Sequence, residues 1–147
     1  MKVLAIASAG GHWIQLLRLM PAFEQHEIIF ASTRQSFSET VSSYKFYAVP
    51  DANRWNKFKL IYMGAAISRL VLAVKPDIVV TTGAAPGLMG LLAGKLFGAK
   101  TIWVDSIANV EKLSLSGRLA LLFADRTYTQ WEGLATPKVH YHGNVLS

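Results

Sequence analysis

Short apolar runs alternate along this chain with longer stretches in which apolar residues recur at helical spacing. The run Val3-Leu4-Ala5-Ile6-Ala7 predicts a strand over 2–7, and Trp13-Ile14-Gln15-Leu16-Leu17 predicts a helix over 12–20, stopped by Pro21. A second strand is expected over 27–31, then a polar stretch with room for a short helix near 38–43. A third strand at 45–49 is closed by Pro50-Asp51. Residues 57–74 read as a long helix, apolar around most of its circumference and ended by Lys75-Pro76. The β-branched run over 77–82 reads as a central strand buried on both faces. Beyond it come a helix over 88–97 closed by Gly98, a strand over 100–104 and a loop over 105–111. A helix over 113–124 and strands over 126–129 and 139–141 complete the pattern. Strands separated by helix-length segments imply βαβ units, so the fold expected is one α/β domain over 1–147, a Rossmann-like doubly wound parallel sheet.

Composition narrows the classes. With 147 residues and 52% apolar positions the chain holds one well-formed core, and it is neither a disordered tail nor a nucleic-acid-binding arm. The formal charge of +6 suits an anionic partner, a phosphate-bearing substrate or an acidic membrane face. The basic residues are scattered, which argues against nucleic acid. The absence of cysteine excludes disulfides and thiolate chemistry, and nothing in the chain calls for a metal or other cofactor. The longest charge-free run, 78–94, is interrupted by Thr81-Thr82-Gly83 and Pro86-Gly87 and reads as strand, turn and helix rather than a membrane span. No secretory signal is visible. The location expected is cytoplasmic, resting on a membrane without crossing it.

Candidate chemistry gathers in the loops that follow strands. Ser8-Ala9-Gly10-Gly11-His12 lets backbone pass close to a ligand while the next helix aims its free N–H groups into the same space, a place to hold phosphate. His12 adds a proton donor or acceptor that works near neutral pH. The turn at 83–87 repeats that logic with Gly83, Pro86 and Gly87, and the loop at 105–111 brings Asp105, Ser106, Asn109 and Glu111 to the same rim. One histidine, one carboxylate and two phosphate-compatible turns suit transfer chemistry on a phosphorylated substrate, with His12 and Asp105 as the catalytic candidates. Asp105 equally suits a loop residue capping the next turn. A dinucleotide site fits poorly, because the first turn lacks G-x-G-x-x-G and the second strand ends in Ala31-Ser32-Thr33-Arg34 without an acid. The segment Asn53-Arg54-Trp55 has the polar and aromatic mixture of a contact surface.

These residues carry a resemblance. The Gly-Gly-His turn resembles the one that opens the acceptor domain of MurG-type GT-B glycosyltransferases. Val104-Asp105-Ser106-Ile107-Ala108, Leu113-Ser114-Leu115-Ser116-Gly117, Ala124-Asp125-Arg126 and Thr129-Gln130-Trp131 look closer to one branch, as does the closing Tyr141-His142-Gly143-Asn144. That branch is the acceptor-side subunit of the two-chain N-acetylglucosaminyltransferase of dolichol-linked oligosaccharide synthesis, with bacterial relatives of the PssD type. Eukaryotic members carry an N-terminal membrane helix that is not seen here, which favours the bacterial branch. Asp105 stands where that family leads one to expect Glu.

The resemblance implies the acceptor-binding half of a GT-B enzyme, a heterodimer in which a separate donor-binding subunit completes the fold. The reaction implied is inverting transfer from a UDP-sugar to a polyprenyl-diphosphate-linked sugar, on the inner face of the plasma membrane. His12 is then either the base for the acceptor hydroxyl or a ligand of the lipid diphosphate. Gly10, Gly11, Gly83 and Gly87 line the acceptor pocket through their backbones, with Ser8, Pro86, Ser106 and Glu111 beside them. Gln130 and Trp131 read as partner surface, although Trp131 equally suits packing. Two other classes stay open: a non-catalytic scaffold of the same complex, and a free-standing nucleotide-binding protein.

Overall fold

In the computed structural model, which describes residues 1–51 and 56–145, seven strands form one parallel sheet. They are β1 (Lys2–Ala7), β2 (Glu27–Ser32), β3 (Lys45–Ala48), β4 (Ile78–Gly83), β5 (Lys100–Val104), β6 (Arg126–Thr129) and β7 (Val139–Tyr141). Their order across the sheet is β3-β2-β1-β4-β5-β6-β7, so β4 is the middle strand. It is buried from Val79 to Gly83, as its β-branched run required. The helices are α1 (Gly11–Leu19), α2 (Lys57–Val74), α3 (Ala85–Leu96) and α4 (Leu115–Ala120). The expected segment Asn53-Arg54-Trp55 lies outside the described residues.

Alternation along each strand divides the core in two. Val3, Ala5, Ile28, Phe30 and Val80 face α1 and pack on Trp13 and Leu16. Leu4, Ile6, Ile29 and Val79 face the other way, against Met63, Ile67 and Val71 of α2 and Leu91 of α3. Trp13 anchors the first layer, stacked on Phe37 and edge-on to Phe30 and Phe46, with its indole N–H donated to Thr40. In the second layer α3 comes close to the sheet because it shows hydrogens where other residues show side chains. A Cβ on Gly87 would lie 2.0 Å from the Thr81 hydroxyl, and one on Gly94 would lie 2.6 Å from a Val79 methyl.

Several boundaries differ from the pattern-based expectation, each for a local reason. Pro21 does not stop the chain dead; the helix ends at Leu19 and runs on as a 3-10 turn over Met20–Phe23, with the proline in its first turn where no N–H is needed. The short helix expected near 38–43 is a 3-10 segment over Gln35–Val41. Helix α3 begins at Ala85 rather than 88, because Pro86 is an acceptable first-turn residue. Helix α4 is six residues long, where apolar spacing suggested twelve over 113–124. Ser114 caps its start by accepting the Gly117 N–H at 2.9 Å. Its last turn tightens to i→i−3 bonds, Leu122 to Leu119 and Phe123 to Ala120.

Topology locates a crevice. From β1 the chain steps through α1 to β2 and then β3; from β3 it returns through α2 to β4 on the other side of β1. Helix α1 lies on one face of the sheet, α2 and α3 on the other. The strand order therefore reverses between β1 and β4, and the carboxyl ends of those strands part there.

Candidate functional site at the β1–β4 switch point

Two turns meet in this crevice. The Ser8 amide donates to the Gly83 carbonyl at 3.1 Å, tying the end of β1 to the end of β4, and the Ala9 amide donates to the Thr33 hydroxyl at 3.2 Å. Gly10 has φ 88°, a backbone state that a side chain would strain, and it turns the chain into α1. Gly10 and Gly11 are exposed, and a Cβ built on either meets no atom within 4 Å, so the space above them is open. No side chain caps α1 or α3. The first turns of both helices therefore bring backbone N–H groups to the same edge, apart from Pro86, which has none to give.

His12 sits at the mouth of α1, half-buried, and is held from two sides. Its Nδ1 is 3.0 Å from the Thr82 carbonyl oxygen, and the Thr82 hydroxyl donates back to the His12 carbonyl. A carbonyl oxygen only accepts, so Nδ1 carries the hydrogen. In the neutral ring that leaves the lone pair on Nε2. Gly83 completes the seat: at φ 127° it lies under the imidazole, and a Cβ there would come within 2.8 Å of Nδ1. His12, Ser8, Gly10, Gly11 and Gly83 are thus brought together as the spacing of the two turns suggested.

Of the two readings of Asp105, catalytic and structural, the third loop fits the structural one. Asp105 is 1% exposed and its carboxylate receives four hydrogen bonds. Trp103 Nε1 (3.0 Å) and the Ser114 hydroxyl (2.6 Å) donate to Oδ1; the Ser114 amide (3.0 Å) and Asn109 Nδ2 (3.1 Å) donate to Oδ2. A carboxylate so enclosed has no free oxygen to offer a substrate. The geometry makes Asp105 the brace that fixes the loop to β5 and to the start of α4, in place of a catalytic role.

Ser106 is likewise turned inward, accepting from Gln15 Nε2 and from the Ala108 amide, both at 3.2 Å, so its hydroxyl is not presented to a phosphate. Glu111 is exposed on the same loop and takes no part in the bonds around Asp105. Pro86 and Gly87 are buried, the first starting α3 and the second allowing its contact with Thr81.

Gln130 changes role, whereas Trp131 takes the packing role that its sequence reading also allowed. Gln130 is 2% exposed; its Nε2 donates to Gln15 Oε1 (2.6 Å) and to the Asp105 carbonyl (2.9 Å), while its Oε1 accepts the Val145 amide (3.0 Å). Trp131 is half-buried and donates its indole N–H to the Ile107 carbonyl at 2.7 Å. Both hold the loop from below, which leaves Gln130 no surface for a partner.

The residue at the centre of this network, Gln15, was not among the candidates. A glutamine at an otherwise apolar helix position, three after His12, was the signal available. Thr82 was equally overlooked, because its decisive atom is a backbone carbonyl that carries no sequence signature.

The fold and the crevice together define one Rossmann-like half of a GT-B-type architecture. The chain belongs to the family described as oligosaccharide biosynthesis protein Alg14 like, whose profile matches residues 54–145. Among similar proteins, the UDP-N-acetylglucosamine transferase subunit ALG14 of Yarrowia lipolytica is 27% identical over 175 residues, covering 99% of this chain and 81% of that protein. The human protein of the same name is also 27% identical, covering 99% and 83%. Among solved structures, Acinetobacter baumannii MurG superposes with a TM-score of 0.78 at 15% identity, over 97% of this chain and 45% of that one. A UDP-N-acetylglucosamine 2-epimerase from Rickettsia bellii gives 0.72 at 15% identity, over 99% and 45%. The chain thus spans a little under half the length of these two structures, and the likeness to them is one of fold. Among the described residues, no helix is long and apolar enough to cross a membrane.

Proposed function

We propose that this chain is the acceptor-binding and membrane-recruiting subunit of a two-component inverting glycosyltransferase. In this reading a second, donor-binding chain supplies the UDP-sugar. The acceptor is a polyprenyl-diphosphate-linked sugar, in bacterial exopolysaccharide or related glycan assembly on the inner face of the plasma membrane. The observation that carries it is His12 seated on Thr82 and Gly83 at the switch point, between two uncapped helix starts.

The chemistry follows from that seat. The amides at the starts of α1 and α3 suit the diphosphate, since helix N-termini favour anions by about 0.3–1 kcal/mol each beyond the hydrogen bonds themselves. With Nδ1 committed to Thr82, Nε2 is the atom that faces a ligand. Unprotonated, it accepts the proton of the attacking sugar hydroxyl; protonated, it donates to a diphosphate oxygen. Inverting transfer needs one such base and a leaving nucleoside diphosphate held by the other chain, so half of the catalytic constellation is this chain's to provide. The names of the curated relatives, which are transferase subunits, support that division.

The test is sugar transfer from labelled UDP-sugars to lipid-linked acceptor, measured for this chain, for a candidate second chain and for the two together. Activity only in the pair is the expected result. Full activity from the second chain alone would reduce this one to a scaffold, and activity from this chain alone would overturn the two-component reading.

A further inference from the structure

Helix α1 reaches a different strand end with every third residue. His12 meets the Thr82 carbonyl in β4, Gln15 meets Ser106 and Ile107 after β5, and Arg18 donates to the Val145 carbonyl after β7. Only Gln15 of the three is buried. Its Oε1 accepts twice, from the Ile107 amide at 3.0 Å and from Gln130 Nε2 at 2.6 Å, and its Nε2 donates to the Ser106 hydroxyl at 3.2 Å.

Three backbone groups fix the direction of both amides. The Ile107 N–H only donates, so the Gln15 atom facing it is the oxygen. The Asp105 carbonyl only accepts and the Val145 N–H only donates, so Gln130 turns Nε2 to the first and Oε1 to the second. Gln130 Nε2 then faces the Gln15 oxygen, and the two side chains lock.

This lock decides what the loop at 105–111 can do. A loop at the carboxyl end of a parallel sheet is a common place for a moving cover. Here the Ile107 peptide is clamped on both sides, its N–H by Gln15 and its carbonyl by Trp131, while Gln130 holds the Asp105 carbonyl. Movement would break buried hydrogen bonds and leave their groups unpaired. This part of the loop is a fixed wall of the crevice, beside β4 and one turn along α1 from His12.

From these observations we infer that Gln15 is a positioning residue for transfer. It sets the spacing between His12 and the loop wall, and so the alignment of an acceptor lying between them. The inference rests on the proposed function and deepens it. Two exchanges separate positioning from filling of space. Gln15→Met keeps the length of the side chain and removes all three bonds. Gln15→Glu keeps the oxygen that accepts twice. The Ser106 hydroxyl, which accepts from Gln15 and from the Ala108 amide, can turn its own hydrogen to the second carboxylate oxygen.

The test is transfer by the assembled pair, with kcat and acceptor KM measured well below each melting temperature. Gln15→Met should lower kcat about thirtyfold while acceptor KM stays within about threefold, because the amides at the helix starts are untouched. Gln15→Glu should recover most of that loss even where its melting temperature is lower, which a purely structural role would not produce. Ser106→Ala, which removes one of the three bonds, should lower kcat about threefold; it decides the matter alone if circular dichroism shows that Gln15→Met does not fold. Unchanged kcat in folded Gln15→Met or in Ser106→Ala, or no recovery in folded Gln15→Glu, overturns the positioning role and leaves the two-component reading standing. An inactive pair of unaltered chains overturns that reading, and this inference with it.

Discussion

His12 and Thr82 hold each other reciprocally, side chain to backbone: Nδ1 of the imidazole lies 3.0 Å from the Thr82 carbonyl oxygen, and the Thr82 hydroxyl donates to the carbonyl of His12. The residues are 70 apart in sequence and meet because β1 and β4 are neighbours. This contact fixes which imidazole nitrogen is free. His12→Ala in the assembled pair should therefore lower transfer about a hundredfold or more with little change in stability. If His12 is the base, the loss appears in kcat; if it binds diphosphate, the loss appears in the acceptor KM. Thr82→Val, which keeps the carbonyl and removes the hydroxyl, should cost about tenfold in rate.

Gly83 tests the seat from beneath. A methyl at this position would approach His12 Nδ1 to 2.8 Å on a backbone with φ 127°, so Gly83→Ala combines strain with displacement of the ring. Thermal unfolding should report a loss of about 1–3 kcal/mol. Transfer should fall further than that loss explains.

Two other glycines separate packing from pocket. Gly87→Ala places a carbon 2.0 Å from Thr81 Oγ1 and forces α3 off the sheet, so poor folding is expected. Gly11→Ala enters open space without positive φ and should change stability by no more than about 0.5 kcal/mol. A drop in acceptor affinity for Gly11→Ala, at unchanged melting temperature, would locate the ligand over the first turn of α1.

Asp105 should behave as a structural residue. Asp105→Ala leaves the indole of Trp103, the amide and hydroxyl of Ser114 and the Asn109 amide without their acceptor. At about 1–3 kcal/mol for each buried group left unpaired, the protein should be strongly destabilised. Denaturant unfolding checks this. A stable Asp105→Ala protein with abolished transfer would restore the catalytic role that the sequence suggested.

The Lys95–Asp125 pair gives a pH signature. The hydrogen bond from the Lys95 ammonium, with those from the Thr101 amide and hydroxyl, holds the Asp125 carboxyl below its usual range, against the opposing effect of burial. A lowered carboxylate value stabilises the fold above the unfolded-state value, and that contribution is lost as pH falls through the folded-state one. The difference in melting temperature between the wild-type protein and Asp125→Asn should be steady from neutrality to about pH 5 and close below about pH 4. It should be small, because the pair is partly exposed.

The sheet was legible because strands buried on both faces leave continuous runs of apolar and β-branched residues, as in β1 and β4, and β5, β6 and β7 have the bounds that the alternation of elements predicts. The His12 turn was legible for a similar reason: two adjacent glycines between a strand and a helix have few other uses. The loop at 105–111 misled because a polar residue after a strand looks the same whether it faces solvent or folds back under the loop. Only the approach of Trp103, Ser114 and Asn109 shows that Asp105 is enclosed, and only the meeting of Gln15 with Gln130, 115 positions apart, shows that Thr129-Gln130-Trp131 is an internal strap.

The sequence by itself determined the fold class, the order of elements, the Gly-Gly-His turn and the family resemblance, since these depend on local periodicity, turn chemistry and motif. Tertiary structure decided which polar side chains remain free. Whether a carboxylate or amide is available for chemistry depends on how many donors and acceptors the rest of the chain brings to it. That number is set by packing between segments distant in sequence, so Asp105 and Gln130 became braces while His12 kept one nitrogen open.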